Sequence, residues 1–444
     1  MSSTVLAHGL NGAADLPIPL TYALIGAAWA LTFSFALLFL TWRRPRLDPE
    51  SPGFALPAPV RRMIDARATR TVIATASVFV TACVIVIAVF GSSDPALNPV
   101  PGVLYIGVWV GVMVASLLTG PVWKILSPVR AIHRFGCLLL RRSPERGLLR
   151  YREQWGYLPA VIGLFSFVWL ELAWRTPGSV GAVLTWLLGY LVVTSIGLVL
   201  FGTVWAERAD PLEVYSTLLA HLSPYGRDRA GQPVLRMPLN NLAGTPGLAG
   251  SVAVAATLLG STAFDSFSTF PRWLELVDDL APVVDPTLTR TAGLLVFIGV
   301  VGGLFSVAAR ATGGVSPADR VLLPRRLALS LTPIVAGYLI AHYLTFLLEK
   351  GQATVLLFAD PLDRGWNIAG LADRDVAYVL SSHPGVLATC KVLAVLIGHI
   401  LGVAAAHDRC LLLLPPRHRL TGQLALMLTM VGFTFTGLYL LFGG

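Results

Sequence analysis

Long apolar runs separated by shorter polar segments form the dominant pattern of this chain. A helix needs about 20 mostly apolar residues to cross the hydrocarbon core of a bilayer. Ten runs come close to that length, and we therefore predict ten membrane-spanning helices. They lie at residues 20–41, 72–92, 102–119, 157–173, 182–203, 247–265, 291–312, 327–348, 387–407 and 421–442.

The runs follow one another along the whole chain, which predicts a single all-α integral membrane domain, a polytopic helix bundle, over residues 1–444. Composition agrees with that prediction. Only 13% of the residues are charged and 55% are hydrophobic, whereas a soluble domain carries about 25% charged residues. These values exclude a soluble enzyme, a disordered chain and a nucleic-acid-binding domain.

The basic residues predict how the bundle is oriented. The net charge is +9, and in membrane proteins an excess of Lys and Arg marks the cytoplasmic loops. With the N-terminus outside, the cytoplasmic segments hold 25 Lys and Arg residues and the outer segments hold 6. We therefore expect both termini on the outer side of a bacterial cytoplasmic membrane. The cytoplasmic segments would be residues 42–71, 120–156, 204–246, 313–326 and 408–420.

Two of these cytoplasmic segments have the composition of helices that lie in the membrane interface. Residues 120–156 mix apolar residues with eight basic ones, which suits a helix resting on anionic lipid. The alternative is a solvated basic loop that only sets the orientation. Residues 208–225 could form a second interfacial helix.

Glycines four positions apart mark two faces for close helix contact. Gly107 and Gly111 form one pair, and Gly398 and Gly402 form the other. In a chain with 42 glycines such pairs also arise by chance. The faces would pack inside the bundle, against a protein partner or against a second copy of the chain.

A group of ionisable residues lies at the outer ends of the predicted spans. Glu171, Asp265 and Glu349 end three different spans. His342 precedes Glu349 by seven residues, nearly two helical turns, so the two share a predicted helix face. His8 precedes the first span on the same side. Because ionisable groups are costly inside a membrane, this group is the candidate functional site.

The chemistry of this outer group allows three interpretations. Nitrogen and oxygen ligands suit a divalent metal such as zinc, which would turn a bound water into a nucleophile. The candidate metal ligands are His8, His342, Asp265 and Glu349. Without a metal, His342 would act as a general base that a carboxylate orients. The candidate catalytic residues are His342, Glu349, Asp265 and Glu171. In the third interpretation, the carboxylates only mark the interface and the histidine bonds a neighbouring helix.

A second polar group lies on the ninth predicted span and continues toward the cytoplasm. It comprises Lys391, His399, His407 and Asp408. These side chains could form a polar track for protons or a cation. The alternative is structural, with Asp408 paired to Arg409 at the helix end and His399 bonded across a tight helix contact.

Several stretches carry a resemblance to a known family. They include AHGLNGAADLPIP at 7–19, GPVWKILSPVR at 120–130, EVYSTLLAHLSPYGR at 213–227, AHYLTFLLEKGQ at 341–352 and GHILGVAAAHDR at 398–409. These stretches resemble polytopic bacterial membrane proteins, common in actinobacteria, that are named after a fenitrothion hydrolase. The resemblance extends over nearly the whole chain. It implies hydrolysis of a phosphorothioate triester at the membrane and implies no particular catalytic residue.

We therefore expect a membrane-embedded hydrolase of apolar esters, of the organophosphorus or lipid type. Two alternatives stay open. Polar groups at several depths would also suit a transporter or a metal- or proton-handling membrane protein. The glycine faces would suit an accessory subunit of a membrane complex.

Overall fold

The structure, a computed structural model, describes residues 19–312, 314–419 and 421–443, and almost all of its regular elements are helices. The α-helices in the first half are α1 Leu20–Thr41, α2 Ala58–Asp65, α3 Arg67–Phe90, α4 Val100–Gly102, α5 Val112–Thr119, α6 Trp123–Leu126, α7 Pro128–Leu139, α8 Leu158–Leu172, α9 Val180–Phe201, α10 Thr203–Arg208 and α11 Pro211–Ala220. Those in the second half are α12 Pro238–Ala243, α13 Ser251–Ser268, α14 Pro271–Leu280, α15 Pro286–Arg310, α16 Pro317–Leu327, α17 Thr332–Thr345, α18 Gly351–Leu356, α19 Pro384–Leu413 and α20 Leu424–Phe442.

Shorter elements extend or connect these helices. The π-helical segment Val103–Gly111 joins α4 to α5, and a second one, Phe346–Lys350, joins α17 to α18. Turns of 3-10 helix lie at Glu153–Trp155, Ala328–Leu331, Leu357–Ala359, Ile368–Asp373, Pro416–His418 and Thr421–Gln423. The strands β1 Phe54–Ala55, β2 Tyr225–Arg227 and β3 Pro233–Leu235 form a small antiparallel sheet in the order β1-β3-β2.

Within the described ranges, eight helices are long and apolar enough to cross a membrane. They are Leu20–Thr41, Arg67–Phe90, Val100–Thr119, Val180–Phe201, Pro286–Arg310, Pro317–Ala359, Pro384–Leu413 and Thr421–Phe442. Large apolar side chains such as Trp29 and Phe33 point outward from α1, 70% and 69% exposed. A surface of this kind matches lipid rather than water. The chain is therefore an all-α integral membrane protein, as predicted.

The two remaining predicted runs are also helical but are not among the eight. Residues 157–173 correspond to α8, which has 15 residues, and residues 247–265 correspond to α13, which has 18. Thirteen residues of α13 are buried. A Cβ at Gly260 would lie 2.7 Å from the Cα of Ile298 in α15, so the two backbones touch there. Helix α13 is thus a central helix of the bundle.

The two glycine pairs behave differently. A Cβ at Gly398 would lie 2.6 Å from the carbonyl oxygen of Pro333, and one at Gly402 would lie 2.8 Å from the side chain of Ile334. The Gly398 pair therefore brings α19 into backbone contact with α17, as predicted. At Gly107 no described atom lies within 4 Å of the Cβ position. The Gly107 pair therefore forms no close helix contact among the described residues. Gly107 lines an open cleft between α3 and α9, and a Cβ at Gly111 would meet only the carbonyl oxygen of Ile106 in the same helix.

Contacts between distant segments define the two ends of the bundle. At one end lie β1–β3, together with Asp408, which accepts hydrogen bonds from Trp42 and Arg46. We refer to it as the sheet end. At the other end Arg175 forms an ion pair with Asp285. We refer to it as the pocket end. Helix α9 begins near Arg175 and carries the chain about 33 Å toward the sheet end, at about 1.5 Å per residue.

The prediction of an interfacial helix at residues 208–225 is wrong. Helix α11 lies there, and nine of its ten residues are buried. Tyr215 stacks on Trp109 with ring centroids 4.4 Å apart. Glu213, the charged residue of α11, receives two hydrogen bonds from Arg130 at 2.7 and 2.9 Å. This pairing offsets the free-energy cost of burying the Glu213 carboxylate, so the helix packs inside the bundle rather than in the membrane interface.

Candidate functional site

The centre of the candidate site is a direct contact between His342 and Asp265. His342 lies on α17 and Asp265 near the C-terminal end of α13, and both are almost fully buried. The Nε2 atom of His342 lies 2.8 Å from Oδ2 of Asp265. Since an ionised carboxylate only accepts hydrogen bonds, Nε2 carries the hydrogen and donates it.

Two hydroxyl groups continue this contact on the other side of the imidazole ring. The Oγ atom of Ser266 lies 3.3 Å from Nδ1 of His342 and 3.1 Å from the hydroxyl of Tyr338. With Nε2 protonated, Ser266 donates to Nδ1 and Tyr338 donates to Ser266. The four side chains form one chain of hydrogen bonds that fixes the ring and its tautomer.

One end of this chain faces a cavity. A cavity of about 240 Å³ at the pocket end is lined by Asp265, Glu171, Tyr105 and Arg290 among others. Tyr105, on the Val100–Thr119 helix, also donates a hydrogen bond to the carbonyl of Pro177 at 2.7 Å. Two carboxyl groups from different helices therefore share one cavity, and a half-buried arginine adds a positive charge to its lining.

The position of each group relative to the cavity decides which of them can act on a ligand. Serine, histidine and aspartate in contact would suggest a serine nucleophile, but here Ser266 is fully buried and the aspartate lines the cavity. The group that can reach a ligand is thus the carboxylate. Such an arrangement suits proton transfer at Asp265, with His342 as the residue that positions it.

Glu171 and Asp265 both lie near the C-terminal end of a helix, where a negative charge lowers the stability of the helix. Glu171 is the penultimate residue of α8, and Asp265 lies three residues before the end of α13. The C-terminal end of a helix carries partial negative charge, which opposes a carboxylate there. Helix stability therefore does not account for these two acids.

Glu349 takes a different position from the predicted one. Both of its carboxylate oxygens accept hydrogen bonds from Ser381, from the amide at 2.8 Å and from Oγ at 2.6 Å. It does not belong to the lining of the cavity at Asp265. The π-helical segment Phe346–Lys350 shifts the helical phase, so residue 349 no longer follows residue 342 on one face. Glu349 instead holds the loop before α19 against the bundle.

Residues 19–312, 314–419 and 421–443 contain no set of side chains that would form the predicted metal site. No three His, Cys, Asp or Glu side chains in these ranges come together in a group that could hold a metal ion. Of the four candidate ligands, Asp265 and His342 are in contact and Glu349 bonds Ser381. His8 lies outside the described residues, so its part in a metal site stays a prediction.

At the sheet end, His407 and Asp408 make structural contacts. Asp408 Oδ1 accepts hydrogen bonds from the indole of Trp42 at 2.9 Å and from the amide of Arg46 at 2.6 Å. His407 places Nε2 2.8 Å from the carbonyl oxygen of Trp42 and Nδ1 3.0 Å from Oε1 of Gln423. The two residues thus fasten the chain after α1 to α19.

The structural alternative paired Asp408 with Arg409, and this pairing is wrong. Arg409 donates to the carbonyl of Ala243 at 3.2 Å. Consecutive helix residues point about 100° apart, so the two side chains meet different segments.

Lys391 and His399 lie inside the bundle on α19, and both are fully buried. His399 donates from Nδ1 to the carbonyl of Val395 in its own helix at 2.8 Å. Its predicted bond across the helix contact is therefore wrong, because Gly398 rather than His399 faces α17 at that contact. Whether these residues form a proton or cation track stays a prediction.

Ion pairs near the surface connect separate segments at each end of the bundle. At the pocket end, Asp285 accepts a hydrogen bond from the Thr287 amide, and this bond together with Arg175 lowers the pKa of Asp285. At the sheet end, the hydrogen bond from Arg227 lowers the pKa of Asp65. Both carboxylates are partly exposed to solvent, so these contacts mainly orient the segments that carry them.

Three residues of the site were missed by sequence reasoning. Ser266 follows Asp265 directly, and Tyr338 precedes His342 by one helical turn, so proximity in the chain was the available signal for both. Arg290 had no such signal. It lies in the first turn and a half of α15 and meets Glu171 and Asp265 only at the shared cavity.

No family model, curated protein or solved structure matches this chain.

Proposed function

We propose that the protein is a membrane-embedded hydrolase of apolar esters, with its site in the cavity at the pocket end. The observation that carries the proposal is the pair of carboxyl groups, Asp265 and Glu171, that lines this cavity with His342 fixed behind Asp265. Two carboxyl groups facing one cavity can divide the roles of general base and general acid.

The proposed reaction needs only water as a second reactant. The Asp265 carboxylate takes a proton from a water molecule as the water oxygen forms a bond to phosphorus or to an acyl carbon. The bond from that atom to the leaving oxygen breaks, and the leaving oxygen takes the proton of the Glu171 carboxyl. A proton then returns from Asp265 to Glu171. His342 positions the Asp265 carboxylate throughout.

Arg290 gives the site a preference for substrates that develop negative charge. Its guanidinium is the basic group of the cavity lining, and fixed positive groups stabilise charge that develops on a phosphoryl or carbonyl oxygen in the transition state. The resemblance to proteins named after a fenitrothion hydrolase supports the same substrate class. Fenitrothion itself is synthetic, so it serves as a probe of the class rather than as the natural substrate.

The proposed topology has ten spans, with α8 and α13 crossing in addition to the eight longer helices. Strand β1 pairs with β3 across Ala55 and Val234. The long helices α3, Val100–Thr119 and α9 lie between these strands, and three crossings would separate them by the membrane. A fourth crossing by α8 keeps both strands on one side.

The same argument supports a crossing by α13. Arg409 bonds the carbonyl of Ala243 at the sheet end. Between them lie three of the long helices, α15, Pro317–Ala359 and α19. A fourth crossing by α13 keeps Ala243 and Arg409 on the same side. The excess of basic residues then supports a topology in which the sheet end faces the cytoplasm of a bacterial cell and both termini lie outside.

A cysteine-labelling experiment tests this topology. In a background without the four native cysteines, Ala230→Cys would report on the sheet end and Val283→Cys, at an 88% exposed position, would report on the pocket end. With ten spans, a membrane-impermeant thiol reagent labels residue 283 in intact cells and labels residue 230 only after lysis. Labelling of both in intact cells would overturn the proposed topology.

Hydrolysis is tested with the purified protein in lipid nanodiscs. Release of the nitrophenol from fenitrothion and from nitrophenyl carboxylic esters is followed by absorbance. We expect Asp265→Asn and Glu171→Gln to lower kcat by about 100-fold or more, because general acid and base catalysis contributes about 10²–10⁴-fold.

Asp285→Asn is the matched control, since Asp285 is a carboxylate at the same end whose partners are Arg175 and Thr287. It should retain wild-type kcat. If the wild-type protein releases no nitrophenol from either class of ester, or if the two site variants are as active as the control, the hydrolase proposal fails.

A further inference from the structure

We propose that the groove between α7 and α9 binds the phosphate headgroup of an anionic phospholipid. The groove has a volume of about 650 Å³. Its lining joins the apolar side chains Ile132, Leu140 and Val199 to a set of basic ones. This inference does not depend on hydrolysis, because the groove lies at the sheet end and the Asp265 cavity lies at the pocket end.

The basic part of the groove consists of Arg141, Arg142 and Arg146. All three are exposed. Glu145 is the carboxylate of the same loop, and it already accepts a hydrogen bond from Ser143. The groove therefore has an excess of positive charge, and guanidinium groups bind phosphate oxygens in a bidentate manner.

The backbone at Arg141 supports a functional role for that side chain. Arg141 directly follows Leu140, the C-cap residue of α7, and has the left-handed conformation, with a φ of 50°. The Arg142 amide bonds the carbonyl of Cys137 at 2.8 Å and the Arg141 amide bonds that of Leu138 at 3.2 Å, which is the Schellman pattern of helix termination. Glycine adopts this position without strain. An arginine is strained in this conformation. Binding of a phosphate by its guanidinium group would explain why an arginine occupies the position.

The loop that carries these arginines is held rigidly against α9. The amides of Leu148 and Leu149 bond the carbonyls of Val199 and Leu200 at 3.2 and 2.6 Å. A Cβ at Gly147 would lie 2.4 Å from the Leu200 carbonyl oxygen, so loop and helix touch through their backbones. The groove is therefore preformed, which lowers the entropy lost on binding.

The apolar part of the groove favours a lipid over a soluble phosphate. Ile132 and Leu140, which line the groove, are 57% and 69% exposed. Phe135 and Leu138, elsewhere on α7, are 63% and 73% exposed, so the helix carries apolar surface beside its basic residues. A helix of this composition lies in the membrane interface. Acyl chains would follow the apolar wall while the headgroup meets the arginines, and anionic lipids of the cytoplasmic leaflet present that combination.

The test compares the wild-type protein with Arg141→Gly, and with Arg141→Gly combined with Arg142→Gln and Arg146→Gln. Thermal unfolding is measured in neutral detergent with added phosphatidylglycerol, phosphatidylcholine or inorganic phosphate. We expect phosphatidylglycerol alone to raise the Tm of the wild type. The triple variant should lose most of that rise and bind phosphatidylglycerol about tenfold more weakly, and the Arg141→Gly variant should fold as well as the wild type.

The matched control removes three exposed arginines outside the groove, Arg62, Arg150 and Arg417, by substitution with glutamine. It should keep the full rise in Tm. An equal loss in this control would indicate general surface charge and overturn the specific site. A rise produced by inorganic phosphate alone, or by phosphatidylcholine to the same extent, would overturn the lipid assignment.

Discussion

The two ends of the bundle each contain a buried histidine and aspartate, and they use them in opposite ways. At the pocket end, His342 bonds Asp265 directly and Asp265 lines a cavity. At the sheet end, His407 and Asp408 are neighbours on α19, and both bond groups of the chain just after α1. The residue types are the same, while their partners differ.

This difference shows how a catalytic candidate can be told from a structural one. Asp408 uses one oxygen to accept from three N–H groups, those of Trp42, Arg46 and Leu47, so its bonds serve the fold. Asp265 has a side-chain partner that can exchange a proton and a surface that a ligand can reach. A buried carboxylate is a candidate for catalysis when its partner is titratable and its other side is open.

The largest expected effect is on the rate of hydrolysis, and it separates the two histidines. His342→Gln should lower kcat by about 100-fold, because Asp265 loses the group that positions it. His407→Gln should lower the Tm and leave kcat of the folded protein unchanged. Both variants are assayed for fenitrothion hydrolysis and for thermal unfolding. Equal kcat values for the two variants would remove the distinction between the two ends.

A large effect on stability is expected at Asp408. Asp408→Ala leaves the part-buried N–H groups of Trp42 and Arg46 and the buried N–H group of Leu47 without this acceptor. The loss should lower the free energy of unfolding by about 3 kcal/mol. The measurement is an SDS titration followed by circular dichroism, with Asp408→Asn as the milder variant that retains an acceptor oxygen. A loss no larger than that of an exposed substitution would contradict the structural role.

An effect of intermediate size on stability is expected when glycines of the two pairs are compared. Gly398→Ala would place a methyl group 2.6 Å from the Pro333 carbonyl oxygen, and the resulting strain should cost about 1–3 kcal/mol. Gly107→Ala meets open space and gains helix propensity, so it should be neutral or slightly stabilising. The same SDS titration compares the two. Equal destabilisation would mean that the cleft at Gly107 is filled by a neighbour.

The smallest expected effect is at Glu349. Glu349→Gln weakens two hydrogen bonds with Ser381, which should cost about 1 kcal/mol and change kcat by less than twofold. Limited proteolysis should report a looser loop around residue 381, with Ser381→Ala as its counterpart. A fall in kcat as large as that of Asp265→Asn would return Glu349 to the catalytic site.

The positions of the apolar runs predict the level in the membrane at which each site residue lies. The sequence predicts Glu171, Asp265 and His342 at one level near the ends of three spans. In the structure Asp265 contacts His342 and shares a cavity with Glu171. Glu349 was grouped with them by counting residues along a regular helix. A π-helical segment changed that count, and sequence patterns give little warning of such a segment because it differs from an α-helix by one residue in one turn.

Hydrophobic pattern by itself determined that this chain is an all-α membrane protein, because the cost of burying unpaired backbone groups in lipid leaves helices as the structure of long apolar runs. Tertiary packing decided which polar residues meet. Residues such as Asp265 and His342, 77 positions apart, come together only when α13 packs against α17. Helix α11 shows the same point, since its burial depends on Arg130, a residue 83 positions away from its partner Glu213.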